Sequence, residues 1–180
     1  MTTATPPTDV EAGAAVFIGL GANLGDARAT LRAALIALQA LAAPGSFQAS
    51  AVYGSAPVDS SGPDYVNAVA RLRTALAPHA LLDALQAIEQ RFGRERPYRN
   101  APRTLDLDVL LFGVEGDDGG VVIEDERLVV PHPRAAQRTF VLEPLAELWP
   151  RGAIPGAGRV ADLLAAARRD PAQRVERLAT

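Results

Sequence analysis

The sequence predicts an α+β fold in which helices cover one face of a mainly antiparallel sheet. The predicted elements follow one another in the order β-α-β-β-α-β, with further helical segments after them. Strand segments alternate apolar and polar residues, which is typical of a sheet with one buried face, and helical segments repeat apolar residues every three or four positions. This order indicates a ferredoxin-like sandwich with C-terminal helical additions, whose second sheet face is free for a ligand.

A strand and a helix begin the fold. The stretch AAVFIGLG, at 14–21, is short, apolar and ended by glycine, as buried strands are. Leucines at 31, 35, 38 and 41 have helical spacing and predict a helix from Asp26 to about Ala42, with Asn23 or Asp26 as its cap. The stretch GLGANLGD between them lacks the GK[ST] ending of a P-loop, so we interpret it mainly as a strand-to-helix turn.

Two strands and a second helix follow. The stretch FQASAVYGSAPV, at 47–58, predicts a strand that runs into a proline-containing loop. At 64–76, DYVNAVARLRTAL alternates apolar and polar residues as a half-exposed strand does. The next helix is predicted over 77–93, because Pro78 lies in its first turn and Gly93 just past its end.

The remaining elements begin with an arginine-rich loop over 94–103, which leads into a strand at 104–112. A glycine-rich turn and the apolar return strand VVIE come next, at 113–120 and 121–124. The following segment starts irregularly, becomes helical and ends at Pro150, and a last short helix is predicted over 159–169.

Residue usage excludes several kinds of chemistry. The 180 residues are 48% hydrophobic and 22% charged, which predicts one globular domain over 14–180 behind a flexible extension over 1–13. Cysteine is absent, so disulfides, zinc–thiolate sites and thiol nucleophiles are excluded. All 18 basic residues are arginine, which excludes Schiff-base chemistry and a P-loop lysine. Any phosphate must therefore be held by arginine, metal or backbone amides.

Charge and hydropathy restrict the partners. The net charge of -3 disfavours a nucleic-acid binder, which usually carries a basic surplus. No apolar run approaches the length of a membrane span, and the N-terminus lacks the basic start and apolar core of a signal peptide. We therefore expect a cytoplasmic monomer that binds small molecules, with no nucleic-acid or membrane partner.

The stretch RTLDLDVLLFG, at 103–113, carries two aspartates on one face of the predicted strand. Side chains alternate along an extended chain, so Asp106 and Asp108 point away from Leu107. Two like charges about 7 Å apart repel each other, and a divalent ion such as magnesium, which prefers oxygen ligands, would offset that repulsion. The alternative is that each aspartate pairs with a nearby arginine.

An arginine cluster precedes this strand directly. The stretch RFGRERPYRNAPR has arginines at 91, 94, 96, 99 and 103. Guanidinium groups bind phosphate oxygens in a bidentate manner and stay charged at any relevant pH. By itself the loop could be a solvated segment that pairs with Glu89 and Glu95. Next to two carboxylates it favours a nucleotide phosphate, with magnesium bridging the phosphates.

Other candidate groups are uncharged or titrate near neutrality. His132 lies in LVVPHPR, where flanking prolines restrict the backbone, and it could donate to a phosphate oxygen or a leaving group; an ordinary loop histidine is the alternative. Ser55, Tyr65 and Asn67 suit a flat heterocycle, although each would be uninformative by itself.

Together these stretches resemble the 6-hydroxymethyl-7,8-dihydropterin pyrophosphokinase family. The resemblance runs over about residues 16–148 and rests on FIGLGANLGD, SAVYGSAPV, PDYVNAVARLRTAL, LLDALQAIEQRFGR, APRTLDLDVLLFG and ERLVVPHPRAAQRTFVLEPLAEL. It implies transfer of pyrophosphate from ATP to the pterin hydroxymethyl group with release of AMP, as a step of folate biosynthesis. It also implies an arginine loop that closes over the triphosphate when both substrates bind.

The resemblance implies a role for each matching residue. Asp106 and Asp108 would hold two magnesium ions, Asp106 also helping the hydroxyl to lose its proton, and Arg94, Arg103 and His132 would act on the triphosphate. Further ATP contacts are implied for Gln86, Glu89, Arg96, Val109, Arg127 and Arg138. Asn67 would hydrogen-bond the pterin edge between Tyr65 and Phe140, beside backbone contacts from Ser55, Ala56 and Val58.

Three other functions fit part of the same pattern. Another magnesium-dependent nucleotidyl or phosphoryl transferase could use the aspartate pair. A regulatory domain could bind a nucleotide without turnover. A ferredoxin-like RNA-binding module would need exposed aromatic residues on the sheet, and the aromatic content of 5% disfavours it.

Overall fold

The computed structural model describes residues 13–58, 62–93 and 104–179. Its helices are α1 (Ala27–Gln39), α2 (Pro78–Arg91), α3 (Thr139–Leu148) and α4 (Val160–Ala167). Its strands are β1 (Ala14–Ala22), β2 (Gln48–Ala49), β3 (Tyr53–Ser55), β4 (Tyr65–Thr74), β5 (Asp106–Phe112), β6 (Ile123–Glu124), β7 (Val129–Val130), β8 (Ala153–Ile154), β9 (Gly158–Arg159) and β10 (Val175–Arg177). The predicted 1–13 extension lies outside these ranges except for Gly13.

The main sheet has the order β10-β3-β4-β1-β5, with β2 also paired to β4, and every pairing is antiparallel. This order confirms the predicted ferredoxin-like arrangement, because β1 lies between β4 and β5, which come later in the chain. The predicted strand at 47–58 is divided into β2 and β3, and Asp26 rather than Asn23 caps α1, accepting from the Ala29 N–H at 3.0 Å. None of the helices in the described ranges is long and apolar enough to cross a membrane.

The first face of the sheet carries the larger core, beneath α1 and α2. Alternate residues of β1 and β5 point into it, as the sequence pattern predicts. Burying each such leucine or isoleucine contributes about 1.5–3 kcal/mol. The main buried members are Val16, Ile18, Leu20, Leu31, Leu38, Leu72, Leu81, Leu85, Ile88 and Leu107.

The second face is only partly free, because α3 and α4 pack against one half of it. The core between these helices and the sheet contains Phe17, Val69, Leu110, Leu111, Val141, Leu142, Leu145, Trp149 and Leu164. A register shift in the β1–β5 pairing places both Leu110 and Leu111 in this second core. The other half of the face, which carries Asp106 and Asp108, stays accessible.

The turn at 113–120 supports the second core. Its Gly116 carbonyl accepts from Trp149 Nε1 at 2.7 Å, and its Asp117 carbonyl accepts from the Ala153 N–H at 3.0 Å. The backbone at Gly152 lies against the Trp149 ring so closely that a Cβ there would come within 1.9 Å of it. The turn therefore fixes the indole and the start of the C-terminal segment.

Tyr53 is expected to make the fold less stable as the pH becomes alkaline. Burial, and then its hydrogen bond of 2.8 Å to the Glu147 carboxylate, raise the pKa of the Tyr53 phenol to about 12. In the unfolded chain the phenol loses its proton at about pH 10. The contribution of Tyr53 to the free energy of unfolding is therefore fully present below that pH and decreases as the pH rises towards about 12. The chain has no lysine to titrate in this range.

We expect urea unfolding to show a steeper loss of stability between about pH 10 and 12 in the wild type than in Tyr53→Phe. The substitution removes only the Tyr53 phenol, so the difference between the two curves reports this group alone. Parallel curves would contradict the raised pKa.

Candidate active site

The acidic pair lies on the accessible half of the second face, opposite two glycines. Asp106 pairs with Gly21 and Asp108 with Gly19 across β5 and β1. Both carboxylates are partly exposed. The Leu110 side chain covers Gly19, because its Cδ2 lies 3.2 Å from where a Cβ of Gly19 would stand. Gly21 has no such cover, so the sheet floor beside Asp106 is bare backbone. A flat or phosphate-bearing ligand can therefore approach the strand closely.

Next to this floor, β3 and β4 present a fixed amide. Asn67 is 3% exposed, and its Nδ2 donates to Ser55 Oγ at 2.9 Å and to the Tyr53 carbonyl at 3.4 Å. These bonds orient the amide and place its Oδ1 over Gly21, 3.5 Å from where a Cβ would stand. Tyr65 borders the same glycine. Ser55, Tyr65 and Asn67 are thus brought together, and their binding of a flat heterocycle stays a prediction.

The loop after β7 places His132 beside Asp108. His132 Nδ1 accepts from the Arg134 N–H at 3.2 Å, so Nε2 carries the proton, and it lies 3.8 Å from Asp108 Oδ2. Burial, and then the positive charge of Arg138, lower the pKa of His132 to about 4. At neutral pH His132 is therefore an uncharged imidazole with an N–H donor beside the acidic pair.

The α2 residues lie on the other side of β5. Glu89 is 2% exposed, and its Oε1 accepts from the Leu107 N–H at 2.8 Å, which joins α2 to the strand that carries the acidic pair. Gln86 is half-buried on the same helix. The Val109 side chain lies in the first core and is 3% exposed. A contact of Val109 with a nucleotide would have to use its backbone rather than its side chain.

Arginines flank the site in two places. Arg127 forms an ion pair with Asp83 of α2, and His79 Nε2 lies 2.8 Å from Asp125 Oδ2, so the β6–β7 turn is joined to α2. Arg127 would have to leave Asp83 to reach a ligand.

At the start of α3, the Arg138 guanidinium lies over the Phe140 ring at 5.3 Å. Its charge acts on His132. Arg138 and Phe140 thus lie together at the start of α3, with Arg138 close enough for its charge to act on His132. That the two side chains form a second wall of the site stays a prediction.

Part of the predicted site lies outside the described residues. Arg94, Arg96 and Arg103, with the rest of the arginine loop, fall in 94–103. Ala56 and Val58 are described and partly or fully exposed next to Ser55. The floor at Gly21 was not assigned from the sequence. Two glycines at alternate positions of a strand were the available signal, since both must face the same side.

The acidic pair fits magnesium better than a metal that needs all its ligands from protein side chains. Within residues 13–58, 62–93 and 104–179, no three histidine, aspartate or glutamate side chains converge as metal ligands. Magnesium usually keeps several waters and takes only one or two carboxylates together with substrate phosphates. Asp106 and Asp108 supply that donor set from one face of one strand.

An antiparallel sheet with an acidic pair, a fixed amide and open backbone between them defines an α+β domain whose residues fit a small ligand and a magnesium-bound phosphate group. The family model described as 7,8-dihydro-6-hydroxymethylpterin-pyrophosphokinase (HPPK) matches residues 17–150. The chain belongs to this family of ATP-dependent diphosphokinases.

Curated relatives carry the corresponding name. The 2-amino-4-hydroxy-6-hydroxymethyldihydropteridine pyrophosphokinase of Pseudomonas aeruginosa is 44% identical over 91% of this chain and 96% of its own length. The enzymes of that name from Bacillus subtilis and Haemophilus influenzae are 42% and 41% identical, over 73% and 82% of this chain and 76% and 89% of their own lengths.

Solved structures agree in fold. The wild-type HPPK-DHPS of Plasmodium falciparum superposes with a TM-score of 0.63 at 12% identity, covering 85% of this chain and 44% of that one. An HPPK-DHPS structure in complex with substrates gives a TM-score of 0.62 at 13% identity, covering 86% of this chain and 43% of that one. The chain thus spans less than half the length of these proteins, and the likeness supports the fold alone.

Proposed function

We propose that this protein transfers pyrophosphate from ATP to the hydroxymethyl group of 6-hydroxymethyl-7,8-dihydropterin, releasing AMP, as a step of folate biosynthesis. The observation that carries the proposal is the juxtaposition of the Asp106–Asp108 pair with the Asn67 amide, with the bare backbone of Gly21 between Asp106 and Asn67. One side suits charged phosphates and the other suits an uncharged heterocycle.

The pterin would lie on the bare backbone at Gly21. The Asn67 amide, held by Ser55 and the Tyr53 carbonyl, would hydrogen-bond the amide-like edge of the ring. Tyr65 and Phe140 would enclose its faces, and the backbone from Ser55 to Val58 would complete the wall. A buried amide oriented by its own hydrogen bonds discriminates strongly, because a ligand without matching groups leaves it unpaired.

The triphosphate would lie over the acidic pair. Asp106 and Asp108 would hold two magnesium ions, which neutralise phosphate charge when bound. Asp106 would also accept the proton of the attacking hydroxyl, and the His132 N–H would donate to a phosphate oxygen. Gln86 and Glu89 of α2 and the backbone at Val109 would lie beside the nucleotide. Arg94, Arg96, Arg103, Arg127 and Arg138 would balance the remaining charge.

Pterin-dependent nucleotide release tests the proposal. The purified protein is incubated with ATP, magnesium and 6-hydroxymethyl-7,8-dihydropterin, and AMP and ADP are separated by chromatography. We expect AMP and the pterin diphosphate in equal amounts, with no reaction when the pterin or magnesium is omitted. Release of ADP would indicate a phosphoryl transferase instead, and binding without turnover would indicate a regulatory nucleotide-binding domain.

The bare floor predicts a specific effect of Gly21→Val. A Cβ at this position would lie 3.5 Å from Asn67 Oδ1 and 3.8 Å from Tyr65 Cδ1, which are ordinary contacts, so the variant should fold. The added methyl groups would occupy the place of the ring, and we expect kcat/KM for the pterin to fall at least about tenfold. The KM for ATP should change much less. Unchanged pterin kinetics would show that the ring does not lie on Gly21.

A further inference from the structure

The helix that carries Phe140 receives its N-terminal cap from a distant part of the chain. The capping position, Arg138, makes no side-chain capping bond in α3. The Thr139 N–H instead donates to Gln173 Oε1 at 3.1 Å, across 34 residues of sequence. The first N–H groups of a helix have no partners within the helix, so this bond holds the first turn of α3 from outside.

The Gln173 amide is itself held in one orientation. Its Nε2 donates to Asp170 Oδ2 at 3.2 Å, while Asp170 Oδ1 accepts from the Ala172 N–H at 3.0 Å. With the NH₂ group bound to Asp170, the carbonyl oxygen is directed to Thr139. The cap therefore consists of two linked hydrogen bonds, one between Gln173 and Asp170 and one between Gln173 and the first turn of α3.

The same segment is bonded to the opposite wall of the site. Val175 pairs with Ser55 in the β10–β3 ladder, and the Leu178 N–H donates to the Val52 carbonyl at 2.9 Å. Arg174, between the two anchor points, is extended, with φ −61° and ψ 132°. Two extended residues span about 7 Å, so Gln173 and Val175 bond the two walls at a nearly fixed separation.

The far end of α3 is held independently. Both Glu147 carboxylate oxygens accept from the Ala51 N–H, at 3.1 and 3.2 Å, and Oε2 accepts from Tyr53 Oη at 2.8 Å. Loss of the Gln173 bond would thus leave the helix docked through its last turn. Only its first turn, with Arg138 and Phe140, would lose a restraint.

We propose that Gln173 is a positioning residue that sets the first turn of α3, and with it Phe140 and Arg138, against the Ser55–Asn67 wall. This inference rests on the proposed function, because it assigns the two walls to one pterin-binding site. Gln173 itself does not touch substrate. It acts by holding the aromatic wall at the distance that the heterocycle requires.

Gln173→Leu tests the proposal, because leucine fills similar space without either hydrogen bond. Since loss of one helix cap is worth about 1 kcal/mol, we expect kcat/KM for the pterin to fall about fivefold, mainly through KM. Hydrogen exchange at the α3 first-turn amides should accelerate, while the thermal midpoint changes by only a few degrees (~2–4 °C).

A reversed hydrogen-bond chain provides the rescue. Gln173→Glu alone keeps an acceptor for Thr139 but places its carboxylate against Asp170, so we expect it to be impaired. In the double variant with Asp170→Asn, the amide at position 170 can donate to the carboxylate at position 173. That carboxylate still accepts from the Thr139 N–H. We expect the double variant to return to within about twofold of the wild type, since a carboxylate suits a helix N-terminus.

Gln39→Leu is the matched control, because Gln39 is an exposed glutamine at the last residue of α1, and its kinetics should equal those of the wild type. A Gln173→Leu variant with wild-type KM and exchange would overturn the proposal. So would a double variant no better than Gln173→Leu. Absence of pterin-dependent AMP release in the wild type would instead refute the proposed function, and the exchange measurement would still decide whether Gln173 caps α3.

Discussion

Replacing Asp106 or Asp108 with asparagine is expected to lower kcat by at least about 10²-fold while leaving the fold intact. Each change removes one negative charge from the face of β5 without changing the shape of the side chain. The remaining carboxylate would hold magnesium more weakly, and the phosphate charge would be neutralised less well in the transition state. The rate of AMP release at saturating ATP and pterin is measured over a magnesium titration. The midpoint of the titration reports magnesium binding, and the plateau reports kcat.

Thermal unfolding separates loss of function from loss of structure. Without magnesium, each asparagine variant should stay folded, with a thermal midpoint within about 2–4 °C of the wild type, because the substitution keeps the shape of a partly exposed side chain. Magnesium with a non-hydrolysable ATP analogue should raise the wild-type midpoint and raise that of the variants less. Asp162→Asn, at an exposed position in the first turn of α4, is the control and should behave as the wild type. Variants that keep full activity would show that the acidic pair does not hold the metal.

The parts of the fold that follow local patterns were predictable from the sequence. Alternation placed Asp106 and Asp108 on the opposite face from Leu107, and the structure has the same arrangement. Helical spacing predicted α1 and α2 with ends within three residues of the observed ones. These elements are long enough for their apolar period to define both their type and their buried face.

The second face was not predictable in the same way. The sequence indicated an uncovered face, whereas α3 and α4 cover half of it. The three residues of β10 carry no period of their own, and pairing with β3 alone makes them a strand. The cap from Gln173 to Thr139 likewise depends on residues 34 positions apart. Such features arise from tertiary contacts, which a single sequence does not encode locally.

The candidate site, too, was predictable only in part. Motif residues such as Asn67 and His132 were named from the sequence, but their hydrogen bonds were not. The neutral state of His132 follows from burial beside Arg138, and burial is a property of the folded chain. The bare backbone at Gly21 was visible in the sequence only as one of two alternate glycines, and its place opposite Asp106 follows from the pairing of β1 with β5.

Trp149→Ala is expected to cost about 3–5 kcal/mol of unfolding free energy. Trp149 is 3% exposed, packs against Phe17 with ring centroids 5.4 Å apart, and donates to the Gly116 carbonyl. Its removal would leave a cavity between the sheet and α3 that the rigid Gly152 backbone cannot fill. A domain with a total stability of about 5–15 kcal/mol would lose a large share of it.

Urea unfolding followed by far-UV circular dichroism measures this loss, because Trp149 is the only tryptophan and its fluorescence disappears with the substitution. Trp149→Phe should cost less, about 1–3 kcal/mol, since it keeps an aromatic ring but leaves the Gly116 carbonyl without its donor. A loss below about 1 kcal/mol for Trp149→Ala would mean that the second core does not depend on the indole. Because α3 also carries Arg138 and Phe140, a loosened second core should displace both side chains. If Phe140 encloses the pterin as proposed, pterin binding should weaken even where the protein remains folded.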